Sequence, residues 1–339
     1  MNGVLRAGLI GLGNISSVHI SALEGLPNAV ITAVCDVDEK KLASFPGDVN
    51  RFTDYRQLVS CPDVDVVHIL TPHFLHAEMT IAALKAGKHV VCEKPMASET
   101  EDALRMMEAE KASPGTLSVI FQNRYNASSE KLREIALSGE AGRFLGSRAV
   151  ICWHRTKEYY ESGAWRGKWA TEGGGLLINQ SIHTLDLMTH IFGPVKRVKG
   201  HVSTDVLDDC IEVEDNVHAV FEYESGASGV IFATNSYVTD APVMLEAVFE
   251  KAVYQLQADK LFRLENGVPV LIADEESASS KGKICWGSGH KREIAEIYRA
   301  INDGRRFEID GRSAFPALSL VKAIYQSSQE NRWVEPLRP

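Results

Sequence analysis

Leu9-Ile10-Gly11-Leu12-Gly13-Asn14-Ile15-Ser16 follows an apolar run at residues 5–10 and opens a helix-like segment. Gly11 permits a tight turn, and Gly13 lets the backbone approach a pyrophosphate. The anion would rest on Asn14 and Ile15 at the positive end of the helix. The third small position of this pattern holds Ser16, compact enough for helix–strand packing. Asp36 ends the next β-branched run, 20 residues past Ser16, where a carboxylate can grip ribose hydroxyls. The same charge repels a 2′-phosphate, which favours NAD over NADP. A strand-end Asp also serves as a helix cap, and methyltransferases share this combination. The first 40 residues therefore leave NAD and S-adenosylmethionine both open.

Three further groups carry chemistry. Thr71-Pro72-His73-Phe74-Leu75-His76 and Cys92-Glu93-Lys94-Pro95 each end a strand, and ligands bind at strand carboxyl ends in parallel sheets. Gly173-Gly174-Gly175 precedes Asn179-Gln180-Ser181-Ile182-His183-Thr184-Leu185-Asp186. Asn179 and His183 are i and i+4 on one helix face, with Asp186 about a turn further, opposite an apolar stripe. Asp186 reads equally as a ligand group or a helix-face contact. Upstream, Trp153-His154-Arg155, Tyr159-Tyr160 and Trp165-Arg166-Gly167-Lys168-Trp169 concentrate aromatics and cations. Such faces stack on sugar C–H surfaces, and Arg or Lys hydrogen-bonds hydroxyls or a carboxylate. The same density also suits a packing or interface cluster. His19, His68 and His201 read as structural.

The elements that must position these groups fall into two patterns. Up to about residue 123, apolar runs at 5–10, 30–35, 64–70, 89–92 and 117–121 alternate with amphipathic helices. One helix spans 76–86 and is closed by Gly87. Another runs to residue 112 behind a capping box of Ser98 and Glu101. This predicts a doubly wound parallel sheet covered on both faces. Helices at 129–137 and 176–192 follow, then strands from 195 to about 272 with a hairpin turn at Glu224-Ser225-Gly226. These predict a large open, mostly antiparallel sheet, one face of which could meet a partner subunit. Ile294, Ile297, Tyr298 and Ile301 mark a helix stopped by Gly304, and a last helix follows Asp310. The expected domains are 1–123 and 124–339, the last helices packing back on the first.

Composition narrows the class. A chain of 339 residues exceeds one core, since single cores stop growing near ~250–300 residues. At 45% hydrophobic and 24% charged it is an ordinary globular sequence. With 36 basic against 45 acidic residues the net charge of −9 argues against nucleic acid or an anionic membrane. No apolar run approaches a bilayer span, and the first 14 residues do not read as a secretory leader. Cys35, Cys61, Cys92, Cys152, Cys210 and Cys285 are scattered without a Cys-x-x-Cys pair. They read as reduced, mostly buried thiols in a cytoplasmic chain. No His, Cys and acid spacing matches a metal ligand set.

Taken in order and spacing, the strand-end segments, the triple glycine and the helix histidine resemble the Gfo/Idh/MocA oxidoreductases, named for glucose–fructose oxidoreductase and inositol dehydrogenase. Ala86-Gly87-Lys88-His89-Val90, Phe121-Gln122-Asn123-Arg124-Tyr125 and Gly287-Ser288-Gly289-His290 extend the likeness over essentially the whole chain. The resemblance implies an NAD-binding Rossmann domain followed by an α/β domain for substrate and subunit contacts, in a homodimer or homotetramer. It implies NAD- or NADP-dependent oxidation or reduction of a secondary alcohol on a sugar, polyol or nucleotide sugar. Lys94 maps onto the family's catalytic lysine. Asn179 and His183 map onto a helix Asp-x-x-x-His pair, with Asn here replacing Asp.

Thr71, Pro72, His73, His76, Glu93, Lys94 and Asn123 would then line the cofactor, beside Gly11, Gly13, Asn14, Ile15 and Asp36. Arg124, Trp153, Arg155, Trp165, Arg166, Asn179, Gln180 and His183 would contact substrate. His183 can accept the alcohol proton near neutral pH, while Lys94 hydrogen-bonds the oxygen and shares the transfer. Asn179 cannot take a proton but can orient substrate. Asn179-Gln180 and Arg166 also resemble members that handle uronate or nucleotide-linked sugars. A second reading is an NAD-binding regulator that kept this fold and lost turnover, and a third is a methyltransferase.

Overall fold

The structure, a computed structural model, describes residues 3–274 and 289–339, so expectations placed on Cys285, Gly287 and Ser288 lie outside the described residues. Two compact units divide the chain. The first comprises Met1–Phe121 with His290–Phe315, and the second Gln122–Gly289 with Pro316–Pro339.

In the first unit six short strands form one sheet: β1 (Leu5–Ile10), β2 (Ala29–Cys35), β3 (Asn50–Phe52), β4 (Val66–Ile69), β5 (His89–Cys92) and β6 (Leu117–Val119). Their order is β3-β2-β1-β4-β5-β6 and each pairing is parallel. The continuous apolar runs have the reason expected of them. Leu9, Val66, Val67, Ile69 and Val91 are all fully buried, because the connecting helices cover both faces. Strand order reverses between β1 and β4, which leaves a crevice at their carboxyl ends. Gly11 turns the chain there with φ +96°, and a Cβ on it would lie 2.7 Å from the Leu70 carbonyl oxygen.

One local expectation fails. The helix Thr100–Lys111 has Glu99 at its N-cap with no side-chain cap, so Ser98 and Glu101 form no capping box. Met96 and Ala97 are buried to within 1% exposure, so packing fixes the approach to this helix and draws the Ser98 hydroxyl inside. Where caps do form, Asp38 accepts from the Lys40 N–H and Asp54 from the Arg56 N–H.

The second unit is built on eight described strands: β7 (Phe144–Cys152), β8 (Val195–Ser203), β9 (Asn216–Tyr223), β10 (Ser228–Thr234), β11 (Met244–Phe249), β12 (Val253–Gln257), β13 (Lys260–Glu265) and β14 (Val268–Asp274). Their order is β14-β13-β12-β11-β7-β10-β9-β8, and only β7 with β10 runs parallel. Alternation along β9 and β10 sorts the faces. Val217, Ala219, Phe221, Ile231 and Ala233 point inward, while Val220, Val230 and Phe232 stay exposed. The hairpin at 224–226 is present, with the Gly226 N–H donating to the Tyr223 carbonyl.

The helix expected over 176–192 begins as a π-helical turn, Leu177–Ser181, and continues as α-helix Ile182–Phe192. Such turns concentrate at functional sites.

Candidate active site

The first unit holds the candidate cofactor surface. Gly13 and Asn14 are exposed at the entry to the helix Ser16–Glu24, and a Cβ built on Gly13 meets nothing within 4 Å. Ser16 is buried and its hydroxyl donates to the Gly13 carbonyl at 2.7 Å, which closes the turn without a third glycine. Asp36 is also buried. One of its oxygens accepts from the Leu12 N–H at 2.7 Å and the other from the Asp38 N–H at 2.9 Å. Lys41 Nζ approaches the same carboxylate at 3.5 Å. Asp36 therefore ties the glycine turn to the end of β2. An open glycine turn at a helix N-terminus beside a fixed carboxylate fits the pyrophosphate and ribose of a dinucleotide.

Beyond β5 the backbone carries Glu93, Lys94 and Pro95. Glu93 is buried, and its Oε2 accepts from the Lys94 N–H at 3.1 Å. Its Oε1 lies 3.1 Å from His19 Nε2 and 3.6 Å from His290 Nε2. His19 Nδ1 lies 2.9 Å from His68 Nδ1, and His68 Nε2 lies 2.9 Å from the Tyr298 hydroxyl. Burial would raise the Glu93 pKa, but donation from His19 and His290 holds it well below the usual carboxylate range. Burial lowers His19 and lowers His68 strongly. Those charge states fix every proton in the chain. An ionised Glu93 only accepts, so His19 donates from Nε2 and accepts at Nδ1 from His68. His68 in turn accepts at Nε2 from Tyr298. His19, Glu93 and His290 also place ligand atoms within 4.8 Å of one another, donor types a metal could use, but this proton order accounts for their spacing without one.

His76, expected to line the cofactor, is fully buried between two carbonyls. Nδ1 lies 2.7 Å from the Pro95 oxygen and Nε2 2.9 Å from the Thr71 oxygen. It ties the end of β4 to the segment after Lys94. His73 is buried beside it, their ring centroids 5.8 Å apart.

In the second unit two of the three glycines are dictated by the Tyr325 side chain and the Glu214 backbone. Gly173 closes the short helix Trp169–Glu172 with φ +82°. A Cβ on Gly174 would lie 2.0 Å from the Tyr325 hydroxyl, and one on Gly175 would lie 2.2 Å from the Glu214 carbonyl oxygen. The Glu214 carboxylate accepts from the Gly175 N–H at 2.9 Å, the Leu177 N–H at 2.8 Å and Tyr325 at 2.8 Å. It satisfies the open donors at the start of the helix. Burial still pushes its pKa up to about 7. From Leu176 to Met188 every residue is buried except Asn179 and His183, which are half-exposed.

The aromatic and cationic segment joins this helix. Arg166 donates to the Tyr159 hydroxyl at 2.6 Å and Gln180 donates to the same oxygen at 3.2 Å. The Arg166 guanidinium stands 4.5 Å from the ring centres of both Tyr159 and Trp165. Arg155 lies 5.0 Å from the Trp153 ring and 5.2 Å from Tyr159, and donates to Asp240 at 2.9 Å. Trp153, Arg155, Trp165, Arg166 and Gln180 thus converge on Tyr159. Arg124 does not join them. It is buried in a bidentate pair with Asp186, Nε to Oδ2 at 2.7 Å and a terminal nitrogen to Oδ1 at 2.5 Å. That pair decides Asp186 as a helix-face contact.

Glu172, Glu214 and Tyr325 escaped the sequence reading, whereas His19 and His68, read as structural, are buried in the network that holds Glu93. Glu172 could have been found by its place beside the triple glycine, and Glu214 as an acid inside a strand-rich stretch. His19, His68, His290 and Tyr298 carry no local signal.

Two outcomes follow from this geometry. Gly174→Ala should lower unfolding stability by about 2–4 kcal/mol in denaturant titration, since the Tyr325 hydroxyl must move. An unchanged midpoint would show that Tyr325 yields freely. Second, His19, His68 and His76 have pKa values depressed by burial below that of the unfolded chain. The unfolded state binds more protons as pH drops below about 6.5, so stability present at pH 7 is lost on acidification. The melting temperature should fall from pH 7 to pH 5, with a slope on the order of a kcal/mol per pH unit for each such histidine. Glu214, its pKa raised to about 7, gains stability over the same fall in pH, so the histidine effect is read in an E214Q background, where a flat profile would mean that these rings protonate normally.

Comparison with known proteins agrees with these features. A family profile described as "Oxidoreductase family, NAD-binding Rossmann fold" matches residues 5–121, and the "GFO/IDH/MocA C-terminal domain" matches residues 129–255. Myo-inositol 2-dehydrogenase of Thermotoga maritima is 26% identical over 98% of both chains. D-glucoside 3-dehydrogenase of Escherichia coli is 26% identical over 98% of this chain and 97% of its own. The crystal structure of the WlbA dehydrogenase from Bordetella pertussis, a complex with NADH and UDP-GlcNAcA, superposes with a TM-score of 0.86 at 28% identity over 99% of each chain. The two profiles together cover most of the chain, and the chain belongs to the Gfo/Idh/MocA family of NAD-binding oxidoreductases.

Proposed function

We propose that this chain interconverts a secondary alcohol and a ketone on a sugar, polyol or sugar derivative, with His183 and Lys94 managing the proton. The observation that carries this reading is the exposure pattern of residues 176–188, in which only Asn179 and His183 escape burial. A helix sealed on all other sides and anchored by Glu214 presents an amide and an imidazole, groups suited to a hydroxyl-rich ligand.

NAD bound here would supply the acceptor for the hydride that leaves the carbinol carbon. His183 takes the hydroxyl proton as the C=O bond forms and returns it in the reverse direction. Lys94 hydrogen-bonds the same oxygen, its backbone held by the Glu93 carboxylate. Gly11, Gly13, Asn14 and Ile15 would hold the pyrophosphate and Asp36 the ribose. Thr71, Pro72, His73 and Asn123 border the nicotinamide, and His76 holds Thr71 in place. Trp153, Arg155, Trp165, Arg166 and Gln180 shape the sugar site around Tyr159. Arg124 is left out of that shell because Asp186 occupies its guanidinium.

NADH formation at 340 nm with myo-inositol, methyl glucosides and UDP-GlcNAcA as separate donors tests the assignment. Lys94→Ala should cut turnover by about 10³-fold or more with NADH affinity nearly unchanged, as expected for a group acting in the transition state. Retained turnover removes Lys94 from the chemistry. Tight NAD binding with no oxidation of any donor would instead favour a regulator.

We also propose that the exposed face of β9 and β10 joins two copies of the chain in a cytoplasmic homo-oligomer. Val220, Val230 and Phe232 are 43%, 44% and 45% exposed side by side on an open sheet, an arrangement that favours self-association. Three described thiols are buried and none is bonded, which suits a reducing compartment. Among the described residues no helix is long and apolar enough to cross a membrane. Light scattering should show a dimer or tetramer that Phe232→Asp shifts toward monomer. A monomeric parent protein would refute the interface.

A further inference from the structure

Glu172 is 1% exposed at the end of the helix Trp169–Glu172. Its Oε2 accepts from the Gly167 N–H at 2.6 Å, and its Oε1 accepts from Asn179 Nδ2 at 2.6 Å. It cannot swing away. Gly167 turns with φ +70° against Ile211, and Gly173 leaves the helix immediately behind Glu172.

We propose that Glu172 is a positioning residue: it fixes the Asn179 amide so that the carbonyl oxygen, and not the NH₂ group, faces the substrate as a hydrogen-bond acceptor for a hydroxyl. The proposal rests on the reading of Asn179 as a substrate contact. The two ends of an amide have nearly the same shape, so packing alone does not choose between them. An ionised carboxylate does choose, because it only accepts. With Nδ2 turned to Glu172, Oδ1 lies on the opposite side of the amide, in a residue that is half-exposed.

The same contact accounts for Asn at 179, where the family resemblance leads one to expect Asp. An aspartate there would set two carboxylates about 2.6 Å apart, and one of them would have to keep a proton. The acid stands at 172 and the amide at 179, and exchanging the two chemistries should restore the pair. In Glu172→Gln/Asn179→Asp, the oxygen of the new amide would accept from the Gly167 N–H while its NH₂ donates to the new carboxylate. The other oxygen of that carboxylate would still accept from substrate.

Four proteins decide the matter: the parent, E172Q, N179D and the double variant. Each is assayed with NAD against myo-inositol and methyl glucosides, and melted from pH 5 to pH 8. Each single substitution should lower kcat/KM by about 10- to 100-fold, the size expected when a buried hydrogen bond to a charge is lost. The double variant should recover to within about fivefold of the parent, a rescue that a merely structural glutamate does not give.

In N179D the folded pair binds a proton more tightly than the unfolded chain does. Its stability relative to the parent should therefore fall as pH rises above about 4, leaving a larger deficit at pH 8 than at pH 5, and the double variant should not show that fall. Tyr159, Tyr160 and Tyr325 feel the Glu172 charge from neighbouring elements, but burial raises all three phenols, so they stay protonated throughout. Glu214, bonded to Tyr325, is common to all four proteins and cancels in the comparison.

Losses that simply add in the double variant, or an N179D protein that melts like the parent at every pH, overturn the proposal. If the parent oxidises none of the donors, the dehydrogenase reading fails by itself. The melting curves then still decide whether residues 172 and 179 are coupled.

Discussion

A buried carboxylate must find enough donors inside the protein, and in each unit this requirement organises the candidate chemistry. Glu93 solves it with His19, His290 and the Lys94 N–H. Because the carboxylate stays ionised, it dictates the tautomers of two histidines and the direction in which Tyr298 donates. The consequence for function lies one residue along. The backbone of Lys94 is fixed from below by a network with no rotational freedom, so the lysine side chain starts from a defined point. Preorganisation of this kind keeps a catalytic group from spending interaction energy on its own ordering.

Glu214 solves the same problem in the second unit with backbone donors. It holds the Gly175 and Leu177 N–H groups and the Tyr325 hydroxyl, which anchors the first turn of the helix that presents Asn179 and His183. The three glycines are the steric counterpart of this anchor. Side chains at 174 and 175 would occupy the space of Tyr325 and of the Glu214 backbone. A motif that reads in sequence as a flexible stretch is therefore a close-packed junction. Its glycines are there for the absence of a Cβ more than for mobility.

What could be read from the chain follows the range of the interactions involved. Five of the six strands of the parallel sheet were legible because each is a mainly apolar run covered on both faces, whereas β3, the short Asn50–Phe52, carries no such run. The glycine turn and Asp36 were legible because their spacing is set within one β-turn-α-β unit. Asn179 and His183 could be paired because helix periodicity brings them to one face. The Ser98 and Glu101 capping box was misread because the signal is local and weak, and burial of Met96 and Ala97 overrides it. The pairing of Arg124 with Asp186, 62 residues later, was not legible because a motif position carries no information about so distant a partner. The partners of Glu93 are spread from His19 to His290, and no periodicity links such positions.

The buried acids also explain why amides and imidazoles, not further carboxylates, occupy the half-exposed positions. Glu172 and Glu214 both lie within the electrostatic reach of Tyr325, and burial drives Glu214 toward neutrality. An aspartate at 179 would lie against the Glu172 carboxylate that the amide now bonds, and two carboxylates at that distance cannot both ionise. Under that constraint an uncharged side chain suits position 179. An amide is the side chain that accepts toward the ligand while donating toward the acid behind it.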